Sequence, residues 1–413
     1  MNKILLIIGF VWPEPQSSAA GSRMMQLINS FKSAGYNIIF ACASAKSDRS
    51  FNLKEIGISE KEIELNSSTF DDFIKELSPD VVLFDRFMIE EQFGWRVAEQ
   101  CPKAIRILDT EDLHCLRRGR QQAFKEDKAF DVSYLFNETA KREIASIYRC
   151  DLSLIISKEE MKILKEQFKV DEQILFYLPF LLDEVSIEEQ ELLPKFEERN
   201  QFLFIGNFLH DPNYDAILYL KKDIWPIIRK NLPESELHIY GAYSSESVHQ
   251  LINEKEGFFI KGYVEDVNIV MRNTRVCIAP MRFGAGLKGK LIDAMINGTP
   301  CVTTSIGAEG LFGKFDANGF IQDDVEQFAG DAINLYTDQS LWYEKQAKGF
   351  DVINNRFQKS MFQENLVNTT KELTNNFEKH RQNNFTGGML MHHTMQTTKF
   401  MSKWIEEKNN NKD

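Results

Sequence analysis

Short apolar runs alternate along the chain with segments whose apolar residues recur every three or four positions. The runs have the length of buried strands, and the segments between them have the spacing of helices that pack on one face. Predicted strands lie at residues 4–8, 37–43, 80–84, 104–109 and 151–157, and then at 201–206, 236–241, 258–262, 276–279 and 301–302. This alternation predicts an α/β fold with two open parallel sheets.

Length and loop composition divide the chain into domains. Its 413 residues are more than a domain with a single hydrophobic core usually contains. We expect α/β domains at 1–178 and 201–355, joined by an acidic, proline-containing linker at 179–200. Residues 356–380 are predicted to be helical. Residues 381–413, rich in Asn, Thr, Met and Lys, are predicted to form a polar tail that is either disordered or a short amphipathic helix.

Charge and cysteine content narrow the range of partners. The net charge of −12 and the pI near 5.3 argue against nucleic-acid binding. Six cysteines are scattered without disulfide or metal-ligand spacing, so we expect no metal site and a reducing, cytoplasmic setting. The apolar run at 4–8 is too short for an export signal, and no apolar stretch predicts a membrane span. Peripheral contact with the inner face of a membrane stays open.

The segment from residue 275 to 311 has the pattern strand, glycine-rich loop, helix, strand and second glycine-bearing loop. Glycines let the backbone approach a ligand, the helix start offers unpaired N–H groups, and basic side chains add charge. The residues in this first loop are Arg282, Gly284, Gly286, Lys288, Gly289 and Lys290. The pattern predicts a phosphate or diphosphate site.

The spacing of Gly284, Gly286 and Gly289 also fits the dinucleotide fingerprint of nicotinamide enzymes. That interpretation requires an acidic residue at the end of the following strand, where it would hold a ribose hydroxyl. Here that strand ends at Thr303, and the acidic residue, Asp293, lies inside the helix. The dinucleotide interpretation is therefore disfavoured.

The run FGAGLKGKLIDAMINGTPCVTT resembles the donor-site signature of retaining, nucleotide-sugar-dependent glycosyltransferases of the family 4-like group, which have the GT-B fold. The resemblance implies two Rossmann-like domains that face a central cleft, with C-terminal helices crossing back to the first domain. It also implies that Asp293 holds the ribose. Members of the group usually carry a sugar-facing Glu eight residues earlier, where this chain has Ala285.

A polar cluster follows the fourth predicted strand, at the point where α/β enzymes place their chemistry. Its candidate catalytic residues are Asp109, Asp112 and His114. By the resemblance, His114 faces the donor sugar, although a role in capping or packing within the loop stays open for it. The two carboxylates are secondary candidates for acceptor binding or proton transfer. The resemblance also puts Gly21 and Arg23 on the acceptor side, although a helix entry and a solvated charge are open alternatives for these two.

The resemblance adds site residues after strands of the second domain. They are Gly206 and Asn207 near the diphosphate, where relatives carry Arg and Lys, and Tyr263 and Val264 beside the nucleotide base. By topology, Gly307 and Glu309 lie in a loop near the diphosphate and, with Ala285, face the sugar, although Glu309 is either a sugar ligand or a solvated side chain. Two roles stay open for Tyr263, which either stacks on the base or packs in the core.

These features predict a glycosyltransferase that moves a sugar from a nucleoside-diphosphate sugar to a glycan, lipid-linked or other acceptor. The resemblance implies retention of configuration and no cofactor beyond the nucleotide-sugar co-substrate. Because no Asp-x-Asp motif ends a strand, we expect no metal. Two alternatives stay open: a GT-B nucleotide-sugar epimerase, and an inactive protein that binds a sugar nucleotide or scaffolds a partner, which Ala285 favours. The sequence does not specify the oligomeric state.

Overall fold

The computed structural model describes residues 3–410 and contains two parallel β-sheets flanked by helices. The first sheet has seven strands in the order β3-β2-β1-β4-β5-β6-β7. Its central strands are buried because Ile, Leu, Val and Phe fill both faces. The strands are β1 Ile4–Gly9, β2 Asn37–Cys42, β3 Ser59–Glu62, β4 Val81–Asp85, β5 Ile105–Asp109, β6 Leu152–Ile155 and β7 Leu175–Tyr177.

Helices cover both faces of this sheet, and several begin at its carboxyl edge. The hydroxyl of Ser18 accepts a hydrogen bond from the amide of Gly21, and that of Ser157 accepts one from Glu160, so serine caps fix two of these helix starts. The helices are α1 Ala19–Ser33, α2 Thr69–Leu77, α3 Phe87–Gln100, α4 His114–Lys125, α5 Glu138–Arg149 and α6 Lys158–Glu166.

Two chain segments cross between the domains side by side. The first, residues 179–200, contains the short helix α7 Ile187–Glu191. The second returns from the other domain near Phe357. The amide of Leu182 donates to the carbonyl of Phe357 at 2.8 Å, and the amide of Lys359 donates to the carbonyl of Leu182 at 2.7 Å. The two crossings are therefore hydrogen-bonded to each other.

The second sheet has six parallel strands in the order β10-β9-β8-β11-β12-β13. Its strands are β8 Asn200–Ile205, β9 Leu237–Tyr240, β10 Phe258–Gly262, β11 Thr274–Ala279, β12 Cys301–Thr303 and β13 Gly319–Ile321. Its helices are α8 Asp211–Tyr219, α9 Trp225–Asn231, α10 Glu246–His249, α11 Val267–Asn273, α12 Gly289–Ile296, α13 Ser305–Ala308, α14 Val325–Thr337 and α15 Gln339–Arg356. A π-helical turn, Leu220–Ile224, joins α8 to α9 just before Pro226.

The last two helices, α16 Gln363–Asn383 and α17 Phe385–Asn410, pack on the first domain. Leu366 and Leu373 of α16 belong to the core beside α1. The guanidinium of Arg96 in α3 donates to the hydroxyl of Ser402 in α17 at 3.0 Å. The prediction of a disordered tail or a short helix is wrong, because α17 is 26 residues long and docks on α3 and α5. Within residues 3–410, no helix combines the length and apolar content that crossing a bilayer requires.

Candidate functional site

A cleft of about 700 Å³ lies between the carboxyl edges of the two sheets. Loops after β1, β4, β5 and β6 form its first wall, and loops after β8, β9, β10 and β11 form its second wall. Open α/β sheets bind ligands at these edges. The predicted site residues that line the cleft are Asp112, His114, Gly206, Asn207, Tyr263, Val264, Gly284, Ala285, Gly286, Lys288, Lys290 and Asp293.

The loop between β11 and α12 turns through two glycines in conformations that other residues rarely adopt. Gly284 has a φ of 151° and Gly286 a φ of 65°. A Cβ atom on Gly286 would lie 2.9 Å from the Cβ of Asp112 in the opposite wall, so glycine lets the walls touch. The ammonium of Lys288 donates to the carbonyls of Ala285 and Gly286 at 3.0 and 2.8 Å, which ties the loop to the start of α12.

Two lysines and one carboxyl group near α12 have strongly shifted pKa values. Burial lowers the pKa of Lys288 to about 8 and that of Lys290 to about 7, and it raises the pKa of Asp293 to about 7. The ammonium of Lys290 donates to the side-chain oxygen of Asn213 at 2.6 Å and lies 4.3 Å from the ring centre of Phe204. A bound anion would restore the ordinary charge of both lysines.

In the opposite wall, His114 begins α4 between two carboxylates. The carboxylate of Glu143 accepts the backbone amides of His114 and Cys115, each at 2.9 Å, and thereby caps the helix. The ring nitrogens of His114 lie 3.6 Å from Glu143 and 3.6 Å from Asp112. Burial opposes the ionisation of Asp112, but Arg117 and His114 outweigh it and lower its pKa to about 2. An ionised Asp112 therefore lies beside the imidazole.

A second buried carboxylate joins the two walls. One oxygen of Glu160, in α6, accepts the amide of Leu113 at 3.0 Å and the amide of Gly286 at 2.8 Å. Burial and the neighbouring Asp112 raise the pKa of Glu160 to about 8. Among the described residues, its other oxygen has no hydrogen-bond partner. Glu160 thus connects the start of the His114 helix with the glycine-rich loop.

An arginine of α4 also reaches the second domain and corrects two predicted placements. Arg120 donates to the carbonyl of Gly284 at 2.8 Å and forms an ion pair of 2.6 Å with Glu309. Glu309 is therefore engaged in an ion pair beside the cleft and does not line it. Gly307 packs against Thr303 and does not line the cleft either. Neither residue has the sugar-facing position that was predicted.

Arg23 and Asp109 also differ from their predicted placement, because they form an ion pair beneath the cleft. The guanidinium of Arg23 donates to both carboxylate oxygens of Asp109 at 2.8 to 3.2 Å and to the carbonyl of Leu178 at 2.8 Å. The two side chains are 1% and 0% exposed. Neither lines the cleft, so a bound acceptor could not reach them in this conformation.

Arg282 and Gly21 complete the corrections. The guanidinium of Arg282 donates to both oxygens of Asp215, at 2.9 and 2.7 Å, and lies over the ring of Tyr219. It does not line the cleft, so its charge is neutralised away from the predicted diphosphate site. Gly21 is buried, and a Cβ atom there would fall 2.3 Å from the carbonyl oxygen of Glu14. Gly21 therefore allows the start of α1 to pack closely against the backbone of the loop that follows β1.

Aromatic residues close the end of the cleft that was predicted to hold the base. The hydroxyl of Tyr243 donates to both carboxylate oxygens of Glu14 at 2.8 Å, and that of Tyr263 donates to the side-chain oxygen of Gln16 at 3.3 Å. The guanidinium of Arg49 lies 4.7 and 4.9 Å from the two ring centres. Each contact joins the two domains across this end of the cleft.

Several cleft residues were not among the predicted site residues, namely Glu14, Arg86, Glu111, Arg117 and Tyr243. Arg86 and Glu111 each lie two residues after the end of a predicted strand, so the carboxyl-edge rule could have found them. Glu143 and Glu160 lie in helices distant in sequence, and no local signal marks them. Within the described part of the chain, no three His, Cys, Asp or Glu side chains converge as a metal site would require.

Two facing Rossmann-like domains, a cleft between their carboxyl edges and helices that cross back define the GT-B glycosyltransferase architecture. Residues 199–338 match the family model described as Glycosyl transferases group 1. This match covers most of the second domain.

A curated relative also matches part of the chain. The "Uncharacterized 44.6 kDa protein in cps region" of Klebsiella pneumoniae is 28% identical over 258 residues, which cover 58% of this chain and 63% of that protein. The alignment thus spans less than two thirds of the relative's own length.

Solved structures share the whole fold. A TarM variant of S. aureus, in complex with fondaparinux, α-GlcNAc-glycerol and UDP, has a TM-score of 0.68 at 11% identity and covers 90% of this chain and 100% of its own. Anabaena HepE, in complex with UDP and glucose, has a TM-score of 0.67 at 12% identity with the same coverage. WaaG, a glycosyltransferase involved in lipopolysaccharide biosynthesis, has a TM-score of 0.60 at 13% identity and covers 88% and 98%. The predicted α/β class and GT-B architecture are confirmed.

Proposed function

We propose that this protein transfers a sugar from a nucleoside-diphosphate sugar, bound between the domains, to a glycan acceptor. The observation that carries the proposal is the cleft itself, in which two buried lysines and the start of α12 face His114 and Asp112. This combination suits a ligand that is anionic at one end and rich in hydroxyls at the other.

In the proposed complex, the diphosphate lies against Lys288 and Lys290, and the ribose lies against Asp293. The lysines stabilise the charge that develops on the departing diphosphate, which is the main electrostatic requirement of the reaction. Because two cations are available for this purpose, we propose that transfer proceeds without a metal. Ala285 supplies no carboxylate to the sugar, so His114 and Asp112 are the polar groups we assign to that side.

The proposed reaction retains the anomeric configuration, in keeping with the resemblance of the glycine-rich loop to retaining enzymes. The acceptor oxygen forms its bond to the anomeric carbon while the bond from that carbon to the diphosphate oxygen breaks. The bonding electrons leave with the diphosphate, and its oxygen takes the acceptor proton. Nucleotide sugars are cytoplasmic metabolites, so we propose that the protein acts in the cytoplasm.

For the substrates, we propose UDP as the nucleotide and a surface glycan, free or lipid-linked, as the acceptor. UDP is present in the TarM and HepE complexes. A capsule or lipopolysaccharide setting is suggested by the cps-region relative and by the description of WaaG. Peripheral contact with a membrane would follow if the acceptor is lipid-linked.

UDP is expected to bind the purified protein in isothermal titration calorimetry, and Lys288→Ala and Asp293→Ala are each expected to weaken it about 10- to 100-fold. Each substitution removes a charge-assisted interaction worth about 1 to 3 kcal/mol. Lys255→Ala, which removes an exposed lysine outside the cleft, serves as the control and should leave the affinity unchanged. If UDP, GDP, ADP and CMP all fail to bind, the inactive scaffold becomes the better explanation.

Binding of UDP at pH 8 is expected to take up about one proton. Burial lowers the pKa of Lys288 to about 8 and that of Lys290 to about 7, so both amines are partly neutral in the empty cleft. A diphosphate favours the protonated amines, so affinity should fall as the pH rises from 7 to 9. Calorimetry in two buffers of different ionisation enthalpy measures the uptake, and Lys290→Ala should reduce it. An affinity that rises over this range would contradict the assignment.

A further inference from the structure

Two residues in the first wall of the cleft have a backbone φ angle that is positive. Arg86, which follows β4, has a φ of 73°, and Glu111, which follows the neighbouring β5, has a φ of 62°. Both line the cleft. A residue other than glycine rarely adopts this conformation, and such strain persists only where the surrounding structure enforces it. The backbone here thus aims two long polar side chains into the cleft.

Neither Arg86 nor Glu111 has its hydrogen-bonding groups fully satisfied by the described part of the protein. Among the described residues, the guanidinium of Arg86 has no hydrogen bond, and its Nε lies 3.6 Å from the nearest carboxylate oxygen, on Asp85. The carboxyl group of Glu111 has no hydrogen-bond partner in the described chain either. By contrast, Arg117 in the same wall is paired with Asp112. Arg86 and Glu111 therefore retain the capacity to bind a ligand from this wall.

The ionisation of Glu111 suits contact with hydroxyl groups. Burial, together with the nearby charge of Asp109, raises the pKa of Glu111 to about 8. At neutral pH its carboxyl group is mainly protonated, and it can both donate and accept a hydrogen bond. A hydroxyl group has the same dual capacity.

An apolar surface lies beside these two polar groups. Phe10 and Val11 line the cleft and are 37% and 44% exposed. The guanidinium of Arg86 lies 5.0 Å from the ring centre of Phe10, and the amide of Phe10 is held by Asp85 at 2.9 Å. An exposed aromatic face next to a polar pair complements a sugar ring, which has apolar C–H groups on its faces and hydroxyls at its edge.

We propose that Phe10, Arg86 and Glu111 form the acceptor subsite and bind a sugar ring that has free hydroxyls. Phe10 supports one face of the ring, Arg86 donates to a ring or hydroxyl oxygen, and Glu111 binds the hydroxyl group that attacks. The inference rests on the proposed function, since the subsite faces the glycine-rich loop that would hold the donor. According to this proposal, the part of the acceptor that reacts is a carbohydrate, even where the rest of the acceptor is a lipid.

Glycine substitution separates binding from folding at these positions. Glu111→Gly and Arg86→Gly remove the side chain and relieve the strained backbone, so their unfolding temperatures should lie within about 3 °C of wild type or above it. The matched control is Asp127→Gly. Asp127 is also acidic and left-handed, with a φ of 53°, but it is exposed and outside the cleft. Asn variants, which are no more strained at a positive φ than the native residues, replace any glycine variant that melts more than about 5 °C below wild type.

Saturation-transfer NMR with a mixture of methyl glycosides of neutral hexoses, in the presence of saturating UDP, tests the subsite. We expect wild type and Asp127→Gly to bind at least one glycoside, and Glu111→Gly and Arg86→Gly to bind it at least 10-fold more weakly, with UDP affinity changed less than threefold. The subsite is refuted if Glu111→Gly retains glycoside binding, or if wild type binds UDP but no glycoside. A wild-type protein that does not bind UDP at all contradicts the proposed function instead.

Discussion

Asp109→Ala is expected to lower the free energy of unfolding by about 3 to 5 kcal/mol, because it leaves the Arg23 guanidinium charged and unpaired in the core. Asp109 and Arg23 are 0% and 1% exposed, and the arginine donates to both oxygens of the carboxylate. Urea unfolding followed by circular dichroism measures the loss. The result would assign Asp109 to stability, where the sequence suggested catalysis.

A double substitution and a surface control make this test specific. Arg23→Met combined with Asp109→Leu removes both charges together and should recover much of the lost stability, since apolar pairs often replace buried ion pairs well. Glu76→Ala removes an exposed carboxylate from α2 and should change stability by less than about 0.5 kcal/mol. Should Asp109→Ala abolish turnover while unfolding like wild type, Asp109 would have a direct catalytic role after all.

Glu160→Ala is expected to lower kcat about 100-fold with little change in UDP affinity. Glu160 does not itself line the cleft, but one of its carboxylate oxygens accepts the amide of Leu113, just before the His114 helix, and the amide of Gly286 in the glycine-rich loop. Its loss lets the two walls shift relative to each other, and a displacement of about 1 Å costs on the order of 100-fold in rate. Turnover of a UDP-sugar accepted by wild type, compared with calorimetry of UDP, measures the two effects separately.

The neighbouring Glu159 provides the control for this substitution, because it lies on the same helix and is exposed. Glu159→Ala should match wild type in kcat and in UDP affinity. Glu160→Gln retains the oxygen that accepts both amides, so it should recover part of the rate. A Glu160→Ala variant that loses UDP affinity and kcat equally would mean that Glu160 supports donor binding and not the alignment of the walls.

Central strands were predictable from the sequence because continuous apolar runs mark strands buried on both faces. The predicted runs at 4–8 and 104–109 each differ by one residue from the central strands β1 and β5. The strands that were missed are β3, β7 and β13, which all lie at an edge of their sheet. They are three or four residues long, and β3 has the polar sequence Ser59–Glu62. Such strands are specified by pairing with a neighbour rather than by their own composition.

Site residues were predictable where the site is local in sequence. Lys288, Lys290 and Asp293 belong to one strand-loop-helix unit, and all three line the cleft. Long-range pairing was not predictable. In the sequence, Arg282 has the same claim to a diphosphate as these lysines, but in the structure it forms an ion pair with Asp215. The same limit applies to α17, whose polar composition gave no sign that one side of the helix would bury Ser402 against the first domain.

The docking of the C-terminal helices has a consequence for biosynthesis. Leu366 and Leu373 help to fill the core of the first domain, although they follow the entire second domain in sequence. During translation, the first half leaves the ribosome early but keeps part of its apolar surface uncovered until α16 and α17 emerge. The main core of the second domain lies within residues 202–341 and meets no such delay. The half that is synthesised first is therefore completed last.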